Sequence, residues 1–166
     1  MSRIVLSLLL DNTPGVLSRV AGLFSRRGYN IESVTAGTTA DPKYTRMTLV
    51  ATGDYEILEQ IQKQLAKLED VEDIKELKEG ASVYRDLILV KVRANASQRQ
   101  DVNAISAIFR ASVVDVGKDS MTIMLTGDQS KLDAMIGLLE DYEILELART
   151  GLTGLSRGAD DVTYLP

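Results

Sequence analysis

The feature that most constrains this chain is a repeat. Met47-Thr48-Leu49-Val50-Ala51-Thr52-Gly53-Asp54 returns 74 residues later as Met121-Thr122-Ile123-Met124-Leu125-Thr126-Gly127-Asp128, with five of the eight positions identical. The register continues beyond it: Leu58 meets Leu132, Ile61 meets Met135 and Leu65 meets Leu139. A match that keeps step from a strand-like stretch into a helix-like one marks two copies of one small fold rather than a single large domain. A length of 166 residues suits two small domains.

The first copy reads in order. Arg3 to Leu10 is apolar enough for a strand, and apolar residues at 16, 17, 20, 21, 23 and 24 have helical spacing. Gly28 reads as that helix's stop, with Arg26 and Arg27 in its last turn complementing the dipole. Tyr29 to Gly37 and Tyr44 to Thr52 read as strands joined by a turn at 38–43. Asp54 is placed to cap a second helix carrying Ile57, Leu58, Ile61, Leu65 and Leu68, and Val71 to Leu77 is charged enough for an edge strand. This order, strand-helix-strand-strand-helix-strand, predicts an α+β sandwich of ferredoxin-like topology, with helices on one face of an antiparallel sheet. After a polar break the order repeats, with strands at 87–94, 112–116, 121–126 and 143–148 and helices at 98–110 and 130–139. The expected division is a first domain at 1–78, a linker at 79–84 and a second domain at 85–166 that ends in a Gly-rich tail.

The segment Asp11-Asn12-Thr13-Pro14-Gly15-Val16-Leu17 joins the first strand to the first helix. Thr13 is a candidate cap, Pro14 suits the first helical position, and Gly15 allows a close approach. Such a turn leaves backbone N–H groups unpaired at the positive end of the helix dipole, which suits a carboxylate. Asn12 here and Asn30 in Tyr29-Asn30-Ile31-Glu32 offer amide oxygens to an ammonium, and Val16, Leu17 and Ile31 offer apolar surface. An α-amino acid with an aliphatic side chain fits these charges. A well-capped helix and nothing more is the plainer reading of the same turn. In the second copy the turn is Asn95-Ala96-Ser97-Gln98-Arg99-Gln100, which keeps a capping candidate in Ser97 but has neither Pro nor Gly.

Composition excludes several function classes. The chain has no Cys and no His, which removes disulfides, thiolate or imidazole zinc sites and the commonest general base. No nucleophile elbow, phosphate loop or dinucleotide fingerprint is present, so no catalytic residue and no metal ligand is expected. Glu69-Asp70-Val71-Glu72-Asp73 reads as a solvated turn, because consecutive residues point different ways. A net charge of -5 argues against nucleic acid, which needs a basic face. An RNA-binding sheet would also carry aromatics on its middle strands, whereas Phe24 and Phe109 fall on helices. No signal sequence and no membrane-spanning run is apparent, which gives the expectation of a soluble cytoplasmic protein. An acylphosphatase-like enzyme shares the topology, but it would want an Arg and an Asn placed for a phosphate, and the duplication argues against it. The terminal Gly151-Leu152-Thr153-Gly154-Leu155-Ser156-Arg157-Gly158 leaves two readings open, a frayed end or a segment that docks on another protein.

The first copy resembles the ACT domain, a small regulatory module that senses amino acids. The likeness extends to a family. Asn12, Gly15, Leu17 and Arg19, the block from Leu23 to Ser33, Arg46-Met47-Thr48 and the terminal Gly154-Leu155-Ser156-Arg157-Gly158 resemble the small regulatory subunits of acetolactate synthase (acetohydroxyacid synthase), from about residue 3 to 158. In the second copy the match rests on Leu89-Val90-Lys91, Ile108-Phe109-Arg110 and Lys131-Leu132-Asp133, and no ligand is assigned there. The resemblance implies a homodimer whose first domains pair sheet edge to sheet edge and hold valine between chains. The family's valine contacts then fall on Asn12 and Gly15 in the turn and on Asn30 and Ile31 from the facing chain. It also implies a large catalytic subunit carrying thiamine diphosphate, Mg²⁺ and FAD, which joins pyruvate to pyruvate or 2-oxobutanoate in branched-chain amino acid synthesis. No cofactor is expected in this chain. The alternative within the same class is a free-standing ACT sensor for another enzyme.

Overall fold

The computed structural model describes residues 1–26 and 29–163. The expected stop at Gly28, and Arg27 before it, lie outside the described residues. Two compact units are present, one of residues 1–83 together with 151–166, the other of residues 84–150. The expected second domain at 85–166 is therefore divided, and its tail belongs to the first unit.

In the first unit, strand β1 (Ser2–Asp11), helix α1 (Val16–Ser25), strands β2 (Asn30–Thr38) and β3 (Tyr44–Gly53), helix α2 (Tyr55–Leu65) and strand β4 (Val71–Glu76) follow in order. The antiparallel sheet runs β2-β3-β1-β4, so β2 and β4 are its edges, as the charge of β4 predicts. Alternation sends Leu6, Leu8 and Leu10 of β1 and Met47, Leu49 and Ala51 of β3 to one face. There they meet Val16, Val20 and Phe24 of α1 and Leu58, Ile61 and Leu65 of α2. Tyr29 closes this core with its ring edge against Phe24, at 6.5 Å between centroids and 83° between planes.

The second unit repeats the architecture with strand β5 (Ser82–Arg93), helix α3 (Arg99–Ile108), strands β6 (Ser112–Val116) and β7 (Ser120–Gly127), helix α4 (Gln129–Leu139) and strand β8 (Ile144–Arg149). Its strand order, β6-β7-β5-β8, is that of the first sheet. The residues matched by the repeat sit at equivalent places: Met47, Leu49, Leu58, Ile61 and Leu65 in one core, Met121, Ile123, Leu132, Met135 and Leu139 in the other. Both halves are thus tandem βαββαβ sandwiches of ferredoxin-like topology. Strand β5 begins at Ser82, within the expected linker. The buried carboxylate of Asp86 accepts from the Thr150 hydroxyl at 3.1 Å and lies 3.7 Å from Arg149, at the point where the second unit ends.

The two capping expectations diverge. Asp54 and Asp128, partners in the repeat, both occupy N-cap positions, but only Asp128 accepts from the backbone, at Lys131 N. Ser97 does not cap α3: Gln98 is the N-cap, and Ser97 donates its hydroxyl to Asn95, whose side-chain oxygen also takes the N–H groups of Ser97 and Gln98.

The tail is ordered on the helix-free face of the first sheet. The Thr35 hydroxyl of β2 donates to the Leu152 carbonyl at 3.0 Å, Gly154 N donates to the Thr48 hydroxyl of β3 at 3.4 Å, and Arg157 N donates to the Ala81 carbonyl at 2.8 Å. Farther on, Lys75 of β4 donates to the Asp161 carbonyl at 2.6 Å and Thr163 donates to Asp73. The segment thus crosses the sheet from one edge strand to the other. Leu152 is buried, whereas Leu155 is 59% exposed, so among the described residues only one of the two leucines is covered.

Gly151 begins this crossing with φ of 86°, and an added Cβ would lie 2.4 Å from the Ser33 Cβ. Both the left-handed backbone and the contact with a strand exclude a side chain. Gly151→Ala is expected to destabilise the first unit by about 2 kcal/mol or more and to expose 151–157 to proteolysis. Thermal melts and limited digestion of the wild type and variant check this.

Candidate functional site

The turn between β1 and α1 differs from its expected form. Gly15, not Thr13, occupies the N-cap of α1, with φ of 82°, and no side chain caps the helix. Pro14 therefore stands before the helix rather than at its first position. The Val16 N–H makes only a 3.4 Å bond to the Thr13 carbonyl, and the next two N–H groups of α1 lie too early to have partners within the helix. The positive end of the helix is therefore open to an anion.

Side chains hold this turn from below. The Asn12 amide donates to the Pro42 carbonyl at 2.9 Å, and Asn12 N donates to the Lys43 carbonyl at 2.7 Å, tying the turn to the β2–β3 connection. The Arg19 side chain folds back along α1 and grips Asp70, Nε to Oδ2 at 2.6 Å and Nη2 to Oδ1 at 3.0 Å. The Thr13 hydroxyl donates to the same Asp70 Oδ1 at 3.2 Å, and the Asp70 carbonyl accepts from Asp11 N at 2.8 Å. The Arg19 and Thr13 donors hold the Asp70 carboxyl below the usual carboxylate range, and Asp70 raises Arg19 in turn. Asp70 is thus no part of a solvated acidic turn, in contrast to the reading from sequence.

A cleft of about 410 Å³ opens above the turn. One wall is Asn12, Thr13, Gly15, Val16, Leu17 and Ser18; the other is Ala36, Gly37 and Thr38 at the end of β2, with Thr45 of β3. Leu17, on the first wall, is a 51% exposed apolar surface among the described residues. The cleft combines unpaired N–H groups, the Asn12 amide and small apolar side chains, a set that accepts a carboxylate, hydrogen-bonds a polar group and packs an aliphatic chain. Among the described residues, no group of three or more His, Cys, Asp or Glu is placed to hold a metal ion.

Asn30 and Ile31 lie elsewhere. They pair with Thr52 and Ala51 at the start of β2, whereas the cleft is lined by the end of that strand. Gly37 lies seven steps along the strand from Asn30, about 23 Å at the usual rise. Asn30 is exposed, and Ile31 packs partly against the first core. Of the six candidate residues, the structure therefore brings together Asn12, Gly15, Val16 and Leu17 in one chain and leaves Asn30 and Ile31 at the far end of the edge strand.

The corresponding corner of the second unit keeps an opening of about 300 Å³, lined by Arg99, Gln100 and Asn103 of α3, Val113 and Val116 of β6 and Met121 of β7, but with a charged side chain at the helix start. Arg99 starts α3, and its Nη2 donates to the Gly117 carbonyl at 3.0 Å and the Lys118 carbonyl at 2.8 Å. A guanidinium thus bridges from the helix start to the β6–β7 connection, the place corresponding to the cleft in the first unit.

Comparison with known proteins agrees with this geometry. Residues 6–73 match the AHAS small subunit-like ACT domain, and residues 85–158 match the family described as small subunit of acetolactate synthase. The chain is 50% identical over 157 residues to the acetolactate synthase isozyme 3 small subunit of Salmonella typhimurium, covering 94% of this chain and 96% of that protein. The chain belongs to the acetolactate synthase small subunits. A probable small subunit from Methanothermobacter thermautotrophicus is 49% identical over 156 residues, covering 93% of each chain. The crystal structure of the small subunit from Thermotoga maritima superposes with a TM-score of 0.88 at 35% identity, covering 96% of this chain and 99% of that one. Membership of this family, with its ACT domain, supports a regulatory role. Among the described residues, no helix is long and apolar enough to cross a membrane.

Arg19, Asp70 and the Ala36–Thr38 wall were not identified as site residues from sequence. Arg19 carried a signal, since it lies one helical turn beyond Gly15 on the same helix. Asp70 carried none, because only the fold brings the α2–β4 connection beneath the turn.

The same corner also holds a pair of carboxyls. Glu72 is raised above its ordinary range by its hydrogen bond and repulsion with Asp11, and burial raises the nearby Tyr44 along with the charges of Glu72, Asp41 and Asp11. A carboxyl raised in the fold disfavours its ionised form, so its penalty acts above its folded pKa and vanishes once both states are protonated. Glu72→Gln should raise Tm at pH 7 and leave it nearly unchanged at pH 3, as melts at the two values would show.

Proposed function

We propose that this chain is the regulatory subunit that activates the large catalytic subunit of acetolactate synthase and makes it sensitive to valine. The observation that carries this reading is the open α1 N-terminus facing the end of edge strand β2. The valine carboxylate meets the N–H groups after Gly15, the Asn12 amide takes a polar contact, and Val16 and Leu17 pack the isopropyl group. Residues 1–78 carry effector binding and dimerisation. Because β2 is an edge, two copies can pair antiparallel along it, and this pairing carries the partner's Asn30 and Ile31 from the far end of β2 toward the cleft. A site that uses both Asn12 and Asn30 needs that second copy, so the homodimer and the effector site are one structure.

This subunit has no catalytic site or cofactor of its own. Thiamine diphosphate, Mg²⁺ and FAD belong to the large subunit, which joins pyruvate to pyruvate or 2-oxobutanoate in the cytoplasm. The bare dimer favours the active arrangement of that subunit, and valine between the first domains re-sets their relative orientation. Linkage requires valine to bind the uncoupled arrangement more tightly than the activating one. A tenfold change in activity needs only about 1.4 kcal/mol of differential binding, within the range of one charge-assisted contact.

Valine titrated by calorimetry tests this. Saturable binding near one valine per chain is expected, with Asn30→Ala and Gly15→Asp each losing it; Asp at position 15 sets a charge against the carboxylate and a side chain 3.0 Å from Arg19 Nη1. Inhibition of the reconstituted synthase by valine should be lost in the same variants. Binding unchanged in both variants would place the effector elsewhere.

A further inference from the structure

The effector turn has no cap of its own, so something else must hold Gly15 left-handed and Thr13-Pro14 in place. Two hydrogen bonds reach the turn from one guanidinium, which also passes close to Gly15. Arg19 Nη2 lies 3.4 Å from the Pro14 carbonyl and 3.5 Å from the Thr13 hydroxyl, while Nη1 lies 3.0 Å from the place of a Gly15 Cβ. The guanidinium is itself oriented by the two parallel bonds to Asp70, a geometry that a planar fork makes with a carboxylate and an ammonium does not. Asp70 is the better buried partner, its side chain 17% exposed against 46% for Arg19, and it belongs to the connection leading into β4.

We infer that the Arg19–Asp70 pair is the positioning device of the effector site: Asp70 aims the guanidinium, and the guanidinium fixes the Thr13-Pro14-Gly15 backbone so that the α1 N–H groups face the cleft. Asp70 also has an electrostatic task. An unpaired guanidinium beside the turn would compete with the helix N–H groups for a carboxylate, and Asp70 cancels that charge by direct contact. Neither residue lines the cleft, so both act through the turn rather than on the ligand. This inference rests on the proposal that the cleft binds an amino-acid carboxylate.

The test compares valine affinity and backbone hydrogen exchange in the full-length protein, its Asp70→Asn, Asp70→Glu and Arg19→Lys variants, and Asn30→Ala as a reference for direct contact. Asp70→Asn and Arg19→Lys should each weaken valine binding by about five- to tenfold and speed amide exchange at residues 15–18, leaving exchange in β1 and β3 unchanged. Asp70→Glu, which keeps a carboxylate, should recover affinity to within about threefold of wild type. Asn30→Ala should lose valine without altering exchange at the turn. Wild-type binding that persists unchanged in Asp70→Asn and Arg19→Lys overturns the positioning role and leaves the effector reading standing. Failure of the wild type to bind valine removes that reading and this role with it. Equal loss in Asp70→Asn and Asp70→Glu, with exchange faster throughout the first unit, would mark the pair as general stabilisation and likewise overturn the inference.

Discussion

Strand β1 is the constraint on which the first unit depends. Seven consecutive residues, Ile4 to Leu10, are buried. A strand buried on one face alternates; one buried on both must find cover on both. Leu6, Leu8 and Leu10 lie under α1 and α2, but Val5, Ser7 and Leu9 face the other way. The chain's last segment supplies part of that second layer, which is why Gly151 and Leu152 are fitted against β2 rather than left in solvent. In the second unit β5 mostly alternates between buried and more exposed positions, and Leu89 and Leu147 remain exposed on the helix-free side. One fold, used twice, is thus completed differently in its two copies.

The candidate site follows from the same economy of parts. Its ligand-facing groups are mostly backbone, the N–H groups after Gly15, so their direction depends on the turn rather than on any rotamer. A left-handed glycine costs little to place, yet without a capping side chain it fixes nothing by itself. The turn is held instead by bonds from distant segments: Pro42 and Lys43 through Asn12, and Asp70 through Arg19 and Thr13. In the second copy a helix-start arginine bonds to the neighbouring hairpin carbonyls, so the opening there is lined by a charged side chain.

Edge position matters as much as the turn. Asn12 lies in the turn after β1, beside the connection that follows β2, whereas Asn30 lies at the other end, where β2 begins, and no movement within a sheet brings them together. Read along the sequence they are 18 residues apart; read along the sheet they lie near opposite ends of β2, Asn30 at its start and Asn12 across the cleft from its end. Their joint use in one site is a statement about two chains.

The amino-acid sequence by itself determined the βαββαβ order of each unit, the duplication and the core, because strand and helix periodicities are local and the apolar positions that keep step at an interval of 74 lie in the two cores. It also marked the strand-to-helix turn as a candidate anion site, since Pro, Gly and an apolar helix start announce such a turn locally. Thr13 as cap and a solvated Asp70 were local readings that distant bonds overruled, whereas the Ser97 hydroxyl, read as a cap, bonds instead to Asn95, two residues before it. Only the tertiary structure decided that the tail crosses the first sheet, that Asp70 lies under the turn, and that Asn30 stands away from the cleft. These depend on which segments meet after the sheet is assembled, and side-chain hydrogen bonds across 50 or more residues leave no periodic trace in the chain.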